Sequence, residues 1–202
     1  AKMTRSELFT LQTAYMATIA ASVMVAYASF GAEPGHLLAA SLMSAPAAIA
    51  LAKLMVPETE TPETGAAAHR FDMPVESVNV FDAAARGAAT GLNMALNVGA
   101  LLIVFVGLIF LLDKGATALT GEKLTVILGV AFRPFAWLMG VPGPDIRTAS
   151  ELLATKTVFN EFLAYQQLQG LIAEGALSKR SIVILTYALC GFANLASLGI
   201  LI

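Results

Sequence analysis

Four stretches of the chain contain no Asp, Glu, Lys or Arg: residues 8–32, 34–52, 87–112 and 181–202, which are 25, 19, 26 and 22 residues long. A helix needs about 20 mainly apolar residues to cross a bilayer, so each run is of spanning length or close to it. The pattern predicts an all-α integral membrane protein. The first span runs from about Ser6 to Phe30 and stops at the turn Gly31-Ala32-Glu33-Pro34-Gly35. The second, about His36 to Leu54, carries Pro46, which predicts a kink. Together, residues 1–55 read as the first broken span and the second span.

Residues 56–77 are acidic, rich in Pro and Thr, and lack apolar periodicity, as a solvated loop does. Residues 78–116 then read as one long tilted helix, with Asp82 and Arg86 at its wet start. Asn93 and Asn97 lie four apart on one face, which is expected to turn toward protein, and Gly87 with Gly91 offers a close helix contact. Residues 122–142 are apolar but interrupted by Arg133-Pro134, and Trp137 suits a membrane interface. One or two interfacial helices are expected there. In 145–174, Asp145, Arg147, Glu151, Lys156 and Glu161 are too frequent for a lipid-facing span, and their neighbours too apolar for a loop. The reading is a re-entrant helical hairpin, inward to about Val158, turning at Phe159-Asn160-Glu161, and outward to about Ala173. Irregular backbone at that depth is tolerated where protein lines it.

The last span, 178–202, contains Gly191-Phe192-Ala193-Asn194, a helix stop followed by a good N-cap. It also echoes the first. Arg5-Ser6 and Ala21-Ser22 are separated by fourteen residues, as are Arg180-Ser181 and Ala196-Ser197. If the spans alternate, Lys2, Arg5, Lys53, Arg70 and Arg86 flank one side, which the positive-inside rule makes cytoplasmic. The two echoing spans then enter from opposite sides, as in an inverted repeat, whose discontinuous helices hold substrate and ions near the midplane. Two helix breaks are expected, at about Thr18–Ser22 and Gly191–Asn194.

Composition narrows the class. The chain is 57% hydrophobic and 13% charged, against roughly 25% charged in soluble domains. Its net charge of −2 and scattered basic residues give no support for nucleic-acid binding. The lone Cys190 cannot close an internal disulfide, and His36 and His69 are placed in loops, away from any ligand cluster.

Chemistry gathers at the breaks. Glu161 is a carboxylate inside an apolar hairpin, a functional position by default, although a first-turn Glu beside the cap Asn160 also has a purely structural reading. Asn194 and Ser197 are three apart at the second break. Carboxylate, amide and hydroxyl together suit a hydroxyl-rich ligand such as a sugar. Phe192 is either a ligand contact or a core aromatic, and Val23 either a contact or packing. Thr18 offers a hydroxyl, and the backbone beside it a carbonyl, to a small hard cation. A membrane hydrolase using Glu161 is a further reading, but no nucleophile, base or metal cluster accompanies the carboxylate.

The stretches "NEFLAY" (160–165) and "YALCGFANLASLGI" (187–200) resemble signature segments of the concentrative nucleoside transporters. "MATIAASVMVAYASFG" (16–31), "LLAASLMSAPAA" (37–48), "KLMVPETE" (53–60) and "GLNMALNVGALLIVFVGLI" (91–109) resemble that family in the same order. The resemblance implies a multi-pass protein of the plasma (inner) membrane and a homotrimer in the lipid bilayer. Each protomer would pair a scaffold, including the long helix, with a transport domain of two hairpins and two broken helices. It implies cation-coupled nucleoside import by alternating access, with sodium ahead of the proton as coupling ion and no other cofactor. The alternative is a broken-helix carrier for another polar solute. By resemblance, Glu161, Asn194 and Ser197 bind ribose, Phe192 and Val23 lie beside the nucleobase, and Thr18 with the Ile19 backbone forms part of the sodium site. Ala21 stands where the family often has Gly. The family's first hairpin, with its Gln-Thr-Glu nucleobase contacts, its early scaffold spans and its final span have no match here, so the chain is expected to be part of a longer transporter.

Overall fold

The computed structural model describes residues 3–62 and 77–194, and the described residues form helices and connecting turns, with no strand among them. Helix α1, Arg5–Ala17, starts at a capping box. Thr4 Oγ1 accepts from the Glu7 amide at 3.1 Å, and a Glu7 carboxylate oxygen accepts from the Thr4 amide at 2.9 Å. The chain leaves the helix at Thr18 (φ −104°, ψ 159°), is still extended at Ala20 (φ −71°, ψ 145°), and resumes as α2, Ala21–Ser29. The break therefore spans residues 18–20, and Ser22 is already helical.

Gly31, at φ 88°, turns the chain into α3, Pro34–Met55, with Pro34 in its first turn. The first-turn position suits Pro, whose missing N–H would be unpaired there anyway. The helix carries on through Pro46. Its start corrects one expectation, since His36 sits in the first turn of α3 rather than in a loop.

Helix α4, Val80–Thr120, has 41 residues and by its rise is about 60 Å long. That is twice the thickness of a bilayer core, roughly 30 Å. Asn79 caps it, accepting from the Asp82 amide at 2.8 Å, and Gly121 ends it in the left-handed region at φ 77°. It extends four residues beyond the expected end at 116. Asn93 and Asn97 are exposed, and a Cβ on Gly87 or Gly91 would meet nothing within 4 Å. Among the described residues that face is therefore unpacked.

Helix α5, Leu124–Leu138, follows a tight turn held by Asp113 Oδ1, which accepts from the Leu124 amide at 2.8 Å. Of the one or two helices expected here it is one, continuous through Arg133-Pro134. A proline costs one helical hydrogen bond and clashes with the preceding turn. Packing on the next helix offsets that. Ala136 is fully buried, and a Cβ on Gly129 would stand 3.1 Å from Glu151 Cγ.

A short 3-10 turn, Gly143–Asp145, leads into α6, Ile146–Val158. Phe159 (φ −91°, ψ −91°) and Asn160 (φ −165°, ψ 166°) reverse the chain into α7, Glu161–Ala173. The two helices make a hairpin, tied by the Thr155 hydroxyl donating to Gln167 Oε1 at 3.3 Å. Helix α8, Lys179–Leu189, is capped by Ser178 and ends in extended backbone at Cys190. Gly191 follows at φ 99°. The rest of the last span lies outside the described residues, so a second helix segment there is not described.

The core lies where α2, α3, α6, α7 and α8 meet. Tyr27, Leu37, Leu152, Tyr165, Leu168 and Leu185 are at most 2% exposed. By contrast α4 keeps Ile103, Val104 and Leu111 exposed, as a helix does whose neighbours are lipid or further protein. Among the described residues, three stretches are long and apolar enough to cross a membrane: Arg5–Ser29, Pro34–Met55 and Val80–Thr120.

Candidate functional site

The turn between α6 and α7 sets the position of Glu161. Asn160 takes an extended conformation and its side chain accepts from the Leu163 amide at 2.8 Å, which starts α7 one residue later. Glu161 is thereby the first helical residue, and it is only 4% exposed. The Tyr27 hydroxyl of α2 donates to Glu161 Oε1 at 3.1 Å, and Asn194 Nδ2 donates to Glu161 Oε2 at 2.8 Å. A carboxylate has about four acceptor positions. These bonds use one on each oxygen, leaving capacity for a ligand's hydroxyl groups.

A second layer holds that arrangement. The Tyr27 and Tyr165 rings stack with centroids 4.2 Å apart, and the Tyr165 hydroxyl donates to the Thr186 carbonyl of α8 at 2.6 Å. Offset aromatic pairs add about 0.5–1.5 kcal/mol beyond their burial. At the end of α6, Lys156 Nζ donates to the Ala188 carbonyl at 3.1 Å. Residues of α6 and α7 thus fasten the last turn of α8 and the segment after it, and Tyr27 of α2 braces the α7 pair.

The two helix ends also touch each other. The Phe192 amide donates to the Met16 carbonyl in the last turn of α1 at 2.8 Å. A Cβ on Gly191 would stand 3.2 Å from both the Met16 and Ala17 carbonyl oxygens. Only a residue without a side chain passes here, and its left-handed φ makes the same demand. The end of α8 is thereby seated directly on the break after α1.

Against the sequence expectations, Glu161 and Asn194 come together by direct hydrogen bonding. Phe192 is half-buried and bonded through its backbone to α1. Val23 and Ile19 are half-buried and pack against the main core. Thr18 terminates α1 with its hydroxyl donating to the Ala14 carbonyl at 3.2 Å, a bond that does not use the hydroxyl oxygen's lone pairs. Ser197 lies outside the described residues, as does His69. His36 Nδ1 lies 3.2 Å from the Tyr187 hydroxyl, and its Nε2 lies 3.2 Å from Glu33. Among the described residues no group of His, Cys, Asp and Glu could hold a metal ion.

Sequence reasoning passed over Tyr27 and Tyr165, and took Lys156 only as a charge unsuited to lipid. A signal existed for each. A tyrosine in mid-span must find a partner for its hydroxyl, and a lysine in an apolar hairpin must find one for its charge.

A buried carboxylate and amide, assembled from a hairpin and the segment past the end of α8 in a chain of spanning apolar helices, belong to the class of multi-pass membrane transporters. Residues 36–202 match the family model described as Na+ dependent nucleoside transporter C-terminus, and the chain belongs to that family. It is similar to the uncharacterized transporter YutK of Bacillus subtilis, 43% identical over 208 residues, covering 100% of this chain and 51% of that protein. The nucleoside permease NupC of Helicobacter pylori is 39% identical, with 99% of this chain and 49% of that protein covered. A solved structure of CNTnw in an inward-facing substrate-bound state is similar at a TM-score of 0.81 and 40% identity, covering 99% of this chain and 49% of that one. The chain thus spans about half the length of these relatives. The family is one of transporters, not enzymes, which removes the hydrolase reading of Glu161.

Proposed function

We propose that the chain forms the substrate-binding half of a sodium-coupled nucleoside importer. The observation that carries this is the Glu161 carboxylate, buried and held by Tyr27 and Asn194, with acceptor capacity remaining on both oxygens. Ribose presents two vicinal hydroxyl donors, and a carboxylate with an adjacent amide is suited to bind them. Ser197 would add a hydroxyl, while Phe192 and Val23 would flank the base.

The coupling ion is cargo in this scheme. Sodium takes hard oxygen ligands, and the extended backbone at Thr18–Ala20 with the Thr18 hydroxyl and the Ile19 carbonyl is of that chemistry. Sodium is preferred to the proton because the matched family is described as Na+ dependent. The α6–α7 hairpin would be re-entrant, and α1–α2 and the last span would be inverted counterparts. Support for the latter comes from the two serines that open the repeats. Ser6 is buried and donates to the Val56 carbonyl at 2.7 Å, and Ser181 is buried and donates to Asp145 Oδ2 at 2.6 Å. Each anchors the start of its helix to a neighbouring element. The exposed α4 would belong to a static scaffold in a trimer within the plasma membrane, past which the hairpin and broken helices move.

The test is radiolabelled uridine uptake by the full-length transporter in proteoliposomes, with sodium or choline outside. Sodium-dependent uptake, competed by unlabelled nucleosides, is expected. Uptake indifferent to sodium would overturn the coupling, and failure of any nucleoside to bind or compete would leave a carrier for another polar solute.

A further inference from the structure

Lys156 is an amine carried into an apolar hairpin, and it plays no part in the ribose and sodium reading above. It lies in the last turn of α6, five residues before Glu161, and its one hydrogen bond given by the structure goes to the Ala188 carbonyl at 3.1 Å. That carbonyl belongs to the final turn of α8, which stops at Leu189 as the chain becomes extended at Cys190. The last four carbonyls of a helix lack partners within it, and the macrodipole places partial negative charge there. An ammonium group is well matched to such an end.

The position of this contact matters. Beyond the end of α8 the chain runs six residues from Ala188 to Asn194, whose amide must arrive at Glu161 Oε2. The hairpin therefore grips that segment at two levels. Lys156 on α6 holds the last helical turn, and Glu161 on α7 holds the residue past the break. If the first grip is released, the second must be made by a segment whose helical end is free to shift.

We propose that Lys156 is a positioning residue for the substrate site. Its ammonium clamps the carbonyl end of α8 to the hairpin, and so delivers Asn194 to Glu161 in the geometry that binds a polyhydroxylated ligand. The inference rests on the nucleoside reading above.

A double-mutant cycle tests it, with uridine dissociation constants measured on the purified full-length transporter for Lys156→Met, Lys156→Arg, Glu161→Gln and Lys156→Met/Glu161→Gln. A lost charge-assisted hydrogen bond predicts roughly a tenfold weaker affinity for Lys156→Met. Lys156→Arg, which keeps charge and donors, should stay within about threefold of the unmodified protein. Because Lys156 acts through Glu161, adding Lys156→Met to Glu161→Gln should cost less than about threefold more, since coupled residues are non-additive. An unchanged affinity in Lys156→Met, an arginine variant no better than the methionine one, or equal losses in both backgrounds would each overturn the proposal. Where Lys156→Met does not purify as a monodisperse protein, Lys156→Gln takes its place in the cycle. Misfolding of both would make Lys156 a residue of the fold, not of the site, and would overturn it as well. Failure of the unmodified transporter to bind uridine counts against the nucleoside reading instead, whereas normal binding with a flat cycle counts against Lys156 alone.

Discussion

The Tyr27 hydroxyl donates to Glu161 Oε1 at 3.1 Å across 134 positions of sequence, and so joins the helix after the first break to the tip of the hairpin. Tyr27 is fully buried, and its ring is fixed by stacking on Tyr165. Tyr27→Phe would keep the stack and remove only the donor. One hydrogen bond is worth about 1 kcal/mol net, so nucleoside affinity should fall about fivefold. Circular-dichroism melting should change little, because the Glu161 oxygen left behind can take a hydroxyl from the ligand. A nucleoside dissociation constant unchanged in this variant would show that Tyr27 does not orient the carboxylate.

Glu161→Gln and Glu151→Gln form a matched pair. Glu161 is buried with two donors on its oxygens, whereas Glu151 is 33% exposed and pairs with Arg147 one helical turn away. An exposed pair of this kind is worth about 0.3–0.5 kcal/mol. A charge-assisted bond to a ligand is worth about 1.5–3 kcal/mol, so Glu161→Gln should cost roughly 10- to 150-fold in affinity. Initial uptake rates at matched reconstitution should separate the two variants, and a 3′-deoxynucleoside should be less affected by Glu161→Gln. Equal losses would remove Glu161 from the site.

How much of this was legible in the chain depends on the range of each interaction. The break at Thr18–Ala20 was readable by equal spacing from the later stretch, and the end of α8 because Gly191 carries stop chemistry itself. The hairpin was readable because Asn160-Glu161 is a helix start set in an apolar stretch. Tyr27 was not, because its partner lies on a different helix and no local periodicity marks it. Lys156 entered only as a charge arguing against lipid exposure, since its acceptor is a backbone carbonyl and leaves no trace in sequence. Arg133-Pro134 left one helix or two open for the same reason. What keeps α5 helical through Pro134 is its fit against α6, at Gly129 and Ala136, and tertiary packing routinely overrides local propensity.

Gly191 and Gly31 separate two demands on glycine. Both have left-handed φ, 99° and 88°, but Gly31 has nothing within 4 Å of its Cβ position, while Gly191 faces two backbone carbonyls at 3.2 Å. Gly31→Ala should cost about 1–2 kcal/mol for the conformation alone. Gly191→Ala should cost more, because the Met16 and Ala17 carbonyls belong to the end of α1 and cannot swing away as a side chain would. It should also impair uptake, since the Phe192–Met16 hydrogen bond lies next to the clash. Thermal melts of the two purified variants, with uptake measured in parallel, check both points. A Gly31→Ala variant as unstable as Gly191→Ala would show that φ alone sets the requirement.

Asp145 gives the fold an acid-sensitive anchor at the mouth of the hairpin. Its Oδ2 accepts from the Ser181 hydroxyl at 2.6 Å, the Ser178 hydroxyl at 2.7 Å and the Ser178 amide at 3.1 Å. The Ser181 hydroxyl first, and then Ser178, hold the carboxyl below the usual range by favouring its charged form. A free aspartate titrates near pH 3.9. The stabilisation from a depressed value is therefore complete above about pH 4 and disappears as pH falls through the lower value of the folded state. Asp145→Asn removes the titrating group while keeping the shape. At pH 7 it should melt at a lower temperature than the unmodified transporter, because amide acceptance from the serines is weaker than carboxylate acceptance. Below pH 4 the two melting curves should converge as the carboxylate of the unmodified protein protonates. A difference that persists unchanged from pH 7 down to pH 3 would mean that packing around Asp145, and not its charge, fastens the start of α8 to the hairpin.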